Sequence, residues 1–165
     1  MENAVAAAAI TLRLAEAADE DFLLAVYAST RAAELALVPW NEDQKKQFVR
    51  MQFVAQRDHY RTYIPEGEQY VIFCDRRAVG RLWIARKPEE IKILDITILP
   101  KDRNRGIGGQ LLAAVLREAA ETNKPVTIYV EDFNPSHRFF ERLGFVAAEK
   151  QGMHVLMKWT PHKEK

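Results

Sequence analysis

The stretch "ILDITILPKDRNRGIGGQLLAAVLREAAE", residues 93–121, decides the fold. Its first part is an apolar run that reads as a strand, and its last part is an amphipathic helix. Between them Gly106 and Gly108 stand one residue apart, behind Arg103 and Arg105. A helix N-terminus leaves backbone N–H groups unpaired and carries partial positive charge, and glycines let the backbone come close to an anion. Residues Arg105 to Gly109 are therefore expected to wrap a pyrophosphate with main-chain donors, with Arg103 and Arg105 adding charge. The plain alternative is a glycine turn entering a packed helix. Two other phosphate motifs fail on the residues. A P-loop requires Gly-Lys-Ser/Thr, and Gly109-Gln110 stands there. A dinucleotide fingerprint requires a third glycine where Leu111 stands.

Outward from this stretch the periods alternate. "ITLRL" (10–14) puts Ile10, Leu12 and Leu14 on one side and predicts a half-buried strand. Residues 15–36 carry helical periodicity, with Phe22, Val26 and either Ser29 or Thr30 on one face and Asp19 as a cap. After Pro39-Trp40, Asn41 reads as the N-cap of a second helix running to about Tyr60, with acidic residues in its first turn. "QYVIFC", "AVGRLWIA" and "IKILDITIL" predict three strands in an antiparallel meander. "PVTIYV" is a strand after the glycine-turn helix. "NPSHRFFERLG" (134–144) predicts a short helix with Asn134 as cap, Pro135 at its first position and Gly144 as stop. "FVAAEK" and "MHVLMKW" form a final hairpin. The expected order is β-α-α-β-β-β-α-β-α-β-β. This is a single mixed α/β domain over residues 10–160, with a mostly antiparallel central sheet and flanking helices. A disordered lead-in is expected at 1–9 and a tail at 161–165.

These elements and motifs resemble the GNAT superfamily of acyl-CoA-dependent N-acyltransferases. Arg103-Asn104-Arg105-Gly106-Ile107-Gly108 is similar to its Arg/Gln-x-x-Gly-x-Gly/Ala signature. "ILDITILP" is similar to its fourth strand, which ends in a bulge just before that signature. "NPSHRFFERLGF" resembles its second block, Asn-Pro-x-Ala-x-x-Leu-Tyr-Glu-Lys-Leu-Gly-Phe. The resemblance covers about residues 10–159 and implies acetyl-CoA as co-substrate. It assigns the pyrophosphate to the amides of Arg105, Gly106, Ile107, Gly108 and Gly109. It assigns the pantetheine arm and thioester carbonyl to the backbone of Ile98, and a further pantetheine contact to Asn134. It also places the first two helices over the acceptor and makes a homodimer an expectation. Phe140 departs from the pattern. The family usually has a tyrosine there as general acid for the leaving thiolate, whereas phenylalanine packs beside the sulfur without donating a proton. Tyr129 is a conceivable substitute, or an ordinary half-buried strand tyrosine.

Acetylation of an amine with pKa about 10 requires loss of a proton before attack. A base takes that proton directly or through water, and a donor meets the developing oxyanion. Asp95 is the first candidate base, because a carboxylate interrupting "ILDITIL" is an odd occupant of an apolar strand. A salt-bridged or solvent-facing strand residue is the competing reading. Glu131 and His59 are lesser candidates. Phe48, Gln52, Gln56 and Tyr60 recur every four residues and share a helix face, which either lines an acceptor cup or packs on the sheet.

Bulk properties narrow the partners. The 165 residues carry a net charge of +1, which argues against a broadly basic nucleic-acid binder. The one cysteine, Cys74, lies in an apolar run and allows neither an intramolecular disulfide nor a cysteine zinc site. His59, His137, His154 and His162 show no ligand spacing, so no metal is implied. No apolar stretch is long enough to span a membrane, and residues 1–9 lack the basic start of a secretory leader. The expected location is the cytosol. The expected activity is acetyl transfer to a primary amine of a small molecule or peptide, by direct attack in a ternary complex. The alternative is a non-catalytic acyl-CoA-binding module on the same fold.

Overall fold

The computed structural model describes residues 9–132 and 134–162. The expected lead-in, apart from Ala9, and the last three residues of the expected tail lie outside the described residues. The elements are β1 (Ile10–Leu14), α1 (Glu20–Leu35), α2 (Glu42–Tyr63), β2 (Gly67–Cys74), β3 (Arg77–Arg86), β4 (Ile91–Ile98), α3 (Ile107–Glu121), β5 (Val126–Glu131), α4 (His137–Arg142), β6 (Val146–Gln151) and β7 (His154–Trp159). They follow the expected order. The strands form one sheet in the order β1-β2-β3-β4-β5-β7-β6, antiparallel except where β4 meets β5.

Two apolar clusters hold helices to opposite faces of this sheet. On one face Ile107, Leu111, Leu112, Val115 and Ala119 of α3, spaced at three and four residues, bury against Ile84, Ile93, Ile128 and their neighbours. Full burial of each large aliphatic chain stabilises the fold by about 1.5–3 kcal/mol. On the other face Leu23 and Tyr27 of α1 and Val49 and Phe53 of α2 pack over Val71. The buried face of α1 thus carries Tyr27, rather than Ser29 or Thr30, whose hydroxyls donate to the Val26 and Tyr27 carbonyls within the helix.

The helix ends follow local chemistry. Asn41 caps α2 in a reciprocal box with Gln44, and α2 runs on to Tyr63. Asp19 does not cap α1 with its side chain. Its carboxylate accepts instead from Glu16 N and from the Arg13 guanidinium. The helix α4 starts at His137, later than the sequence suggests. Asn134 turns its Oδ1 onto Ser136 N at 2.9 Å and forms a separate turn before the helix. Gly144 does stop α4. At φ +100° it sends its N–H to Glu141 O, while Phe145 N reaches Phe140 O, a Schellman closure. β1 is also not half-buried. It is an edge strand, and Leu12 and Leu14 face solvent.

Candidate active site

The strands β4 and β5 share three ladder positions, Ile91 with Val126, Lys92 with Thr127 and Ile93 with Ile128. Beyond them the strands part. β4 continues to Ile98 paired only with β3, and β5 continues to Glu131 paired only with β7. The divergence starts at a bulge. Trp83 pairs with Asp95 and Ile84 with Ile93, which leaves Leu94 as the extra residue. The bulge therefore lies four residues before Ile98, and not at the strand's end as expected. Leu99 N donates to Val79 O on the β3 side. Strand alternation then turns the N–H groups of Ile96 and Ile98 toward the gap.

The glycine turn sits at the mouth of this gap. Asn104 (φ +62°) and Gly106 (φ +77°) occupy the left-handed region, which asparagine and glycine tolerate best. Gly106 is the N-cap of α3 and brings no side chain to it. The first N–H groups, those of Ile107, Gly108 and Gly109, consequently lack an intrahelical acceptor and stay open to an anion. At Gly108 an added Cβ would meet nothing nearer than Phe139 at 3.7 Å, so the protein's own packing does not demand glycine there. The Arg103 Nε donates to Ile98 O at 3.0 Å, tying the turn to the end of β4. The Arg105 guanidinium approaches the buried Asp102 at 3.4 Å. The turn, its free donors and its two arginines fit a pyrophosphate.

Asp95 and Thr97 lie on the face covered by α1 and α2, whereas Ile96 and Ile98 face α3. The Asp95 carboxylate, 22% exposed, accepts from Arg81 Nε at 2.5 Å and from Thr97 Oγ1 at 3.1 and 3.2 Å. Arg81 is 1% exposed and also donates to Gln56 Oε1 at 2.8 Å. Two guanidinium groups approach the Tyr27 ring, Arg81 at 5.7 Å and Arg31 at 5.5 Å from its centroid. Tyr27 also donates to Gln52 Oε1 at 3.5 Å and accepts from Arg31 Nε at 3.3 Å. Tyr60 donates to Leu94 O, at the bulge, and its ring meets Trp83 edge-on. Burial, followed by the Asp95 charge, pushes the Tyr60 hydroxyl above its ordinary range. The stripe of Phe48, Gln52, Gln56 and Tyr60 thus faces inward, and its polar ends hold β3, β4 and α1.

The remaining candidates are dispersed. Glu131 ends β5 and pairs with Arg31 at 3.8 Å. Tyr129 is 36% exposed, with Lys92 Nζ over its ring at 4.9 Å. His59 is on the exposed side of α2 against the Tyr63 ring. Asn134, Pro135 and His137 border a surface hollow. Phe140 is 3% exposed, with Phe139 and Phe145 at 5.4 Å on either side, and belongs to the core under α3. Sequence reasoning missed Arg81, Tyr27, Asp102 and Arg77. Arg81 carried a usable signal, since an arginine inside "VGRLWIA" is as anomalous as Asp95 inside "ILDITIL". Two opposite charges in neighbouring apolar strands point to each other.

Comparison with known proteins gives the class. Residues 37–163 match the model of the acetyltransferase (GNAT) domain. The chain belongs to that family. The PaiA N-acetyltransferase of Thermoplasma acidophilum, solved in complex with coenzyme A, is 16% identical with a TM-score of 0.68, over 92% of this chain and 99% of that one. A GNAT family acetyltransferase of Elizabethkingia anophelis with acetyl-CoA bound is 18% identical with a TM-score of 0.58, over 92% and 97% of the two chains. Ard1 of Thermoplasma volcanium is 19% identical with a TM-score of 0.61, over 94% and 99%. A comparison with curated proteins finds no match. Among the described residues no helix is long and apolar enough to cross a membrane.

Proposed function

We propose that the protein transfers the acetyl group of acetyl-CoA to a primary amine of a small molecule or peptide, by direct attack in a ternary complex. The observation that carries this reading is the parting of β4 and β5 beside the glycine turn, with Asp95 on the α1–α2 face of the gap. Acetyl-CoA supplies an activated acetyl thioester. The turn from Arg105 to Gly109 holds the pyrophosphate, and the Ile98 backbone faces the pantetheine and thioester carbonyl, with Asn134 as a further contact. The amine enters from the α1–α2 side, near Gln52, Gln56, Tyr60 and Glu131. A cytosolic location accords with the free, buried Cys74.

Asp95 is the proposed proton acceptor. Arg81 holds one carboxylate oxygen through its Nε. The other oxygen has only the Thr97 hydroxyl at 3.2 Å and is left to accept from an amine or an intervening water. Asp95→Asn should lower turnover roughly 10²- to 10⁴-fold while acetyl-CoA affinity holds. It also leaves Arg81 buried without its counter-charge, a destabilising change in its own right. The double variant Asp95→Asn with Arg81→Gln separates the two effects, because it is neutral and still lacks the base. Wild-type turnover in a folded Asp95→Asn protein moves the role to Glu131.

A second reading, the non-catalytic acyl-CoA-binding module, is favoured by one observation, the buried Phe140 in place of the acid. A thiol resembling cysteine has pKa about 8.5, so at pH about 7.5 its release as thiolate is uphill by only about 1.4 kcal/mol. That is too small to stop catalysis. The deciding measurement is thiol release from acetyl-CoA across an amine panel, with the acetylated product followed by mass spectrometry. The enzyme reading expects release that depends on the amine. Tight coenzyme binding with no transfer to any amine, and transfer restored by Phe140→Tyr, selects the module.

A further inference from the structure

Asp102 is an anomaly in an anion site. It precedes the signature, is 1% exposed, and its Oδ2 is buried without a hydrogen-bond partner. Its Oδ1 accepts from two guanidinium groups, Arg77 Nη2 at 2.6 Å and Arg105 Nη1 at 3.4 Å. A buried carboxylate beneath a pyrophosphate repels it, and low-dielectric surroundings make that repulsion stronger. It also competes for Arg105, one of the cations the site has to offer. Alone, Asp102 and Arg105 would form a neutral couple with little to give a phosphate.

Arg77 changes this balance. It opens β3, immediately after a two-residue turn in which Asp75 (φ +49°) and Arg76 (φ +70°) are both left-handed. That geometry is costly for arginine, and it fixes where β3 begins. From there Arg77 makes the shorter contact to Asp102, and Arg105 is left with the longer, weaker one while remaining 46% exposed. The hydrogen bond to Asp102 raises the Arg77 guanidinium above its ordinary range, as a tightly engaged cation requires.

We propose that Arg77 is a positioning residue for coenzyme binding: it neutralises the buried Asp102 from outside the signature loop and so frees Arg105 to bind the pyrophosphate of CoA. This rests on the reading of residues 105–109 as the pyrophosphate site. Arg77 need not touch the coenzyme. Its effect runs through Asp102, and that is what a double-mutant cycle measures.

The test is calorimetric titration of CoA into the full-length wild type, Arg77→Ala, Asp102→Asn and the double variant, with thermal melting to confirm folding. Arg77→Ala should weaken CoA about tenfold, and in the Asp102→Asn background the same change should cost no more than about threefold. Arg77→Lys, which keeps the charge, should stay within about threefold of wild type, and it serves if Asp102→Asn does not fold. An equal loss in both backgrounds means that Arg77 contacts the coenzyme directly and overturns the proposal. So does a Lys variant as weak as Ala, or an Ala variant as tight as wild type. A wild type that takes no CoA overturns the coenzyme reading itself, which separates that failure from failure of the Arg77 assignment.

Discussion

Single side chains divide between the gap and the frame that holds it open. Gly108 belongs to the gap, since its missing Cβ has room against Phe139 and the fold does not require the glycine. Gly108→Val should leave the melting temperature nearly unchanged and weaken CoA strongly, by about tenfold or more, because the added bulk crowds the free N–H groups. Unchanged affinity by calorimetry would remove residues 105–109 from the site. Tyr60 belongs to the frame. Its hydroxyl is raised above the unfolded value by burial and the Asp95 charge, so the folded state holds that proton more tightly. The resulting stabilisation is complete below about pH 10 and is lost as pH climbs through the folded-state value. Melting scans should show a steeper alkaline decline in wild type than in Tyr60→Phe. Asp95 and Gln56 were legible in the sequence, one as a charge in an apolar strand and the other as part of a helical stripe. Their partner Arg81 stands out in its strand in the same way, but the register that sets it beside Asp95 depends on the bulge at Leu94, which no local pattern announces. Asp102 was hidden for another reason, since the arginine that pairs with it, Arg77, lies 25 residues away.

At the scale of elements, local backbone chemistry sets some boundaries and tertiary contacts set others. The helix α2 was legible because its capping box is local, and α4 was legible at its end because glycine in the left-handed region is a local requirement. The start of α4 was not, because Asn134 serves equally well as an N-cap or as the head of a turn, and tertiary contacts choose between them. β1 alternates as a half-buried strand should, but alternation cannot tell that a strand lies at a sheet edge. Gly144→Ala should destabilise the protein by about 1–2 kcal/mol, the cost of a left-handed non-glycine residue, in chemical denaturation. The new Cβ would also press on Trp159 at 3.3 Å. Gly80→Ala should do more harm. Its Cβ would fall 2.1 Å from Thr97 O, so β4 must shift away from β3. Both the denaturation midpoint and CoA affinity are expected to fall, since the Ile96 and Ile98 amides move with that strand. A variant that melts like wild type would show that β3 and β4 tolerate separation there.

Over the whole molecule, the GNAT architecture follows from a mixed sheet whose one parallel junction is short. Element order and strand count were accessible from periodicity, whereas the sheet face that each helix covers was not. The parting of β4 from β5 was not accessible either, because it is a property of two strands distant in sequence. That junction divides the sheet into a β1–β4 part and a β5-β7-β6 part joined by three ladder positions, so the Ile96 and Ile98 amides have no strand partner in the middle of an otherwise paired sheet. A deuterium clock is thereby built into the protein. Without ligand, the Ile96 and Ile98 amides should exchange as quickly as those of an edge strand, although neighbours on both sides of β4 exchange slowly. When acetyl-CoA fills the gap, these two amides should slow first and furthest, reporting the occupied fraction before any product has formed.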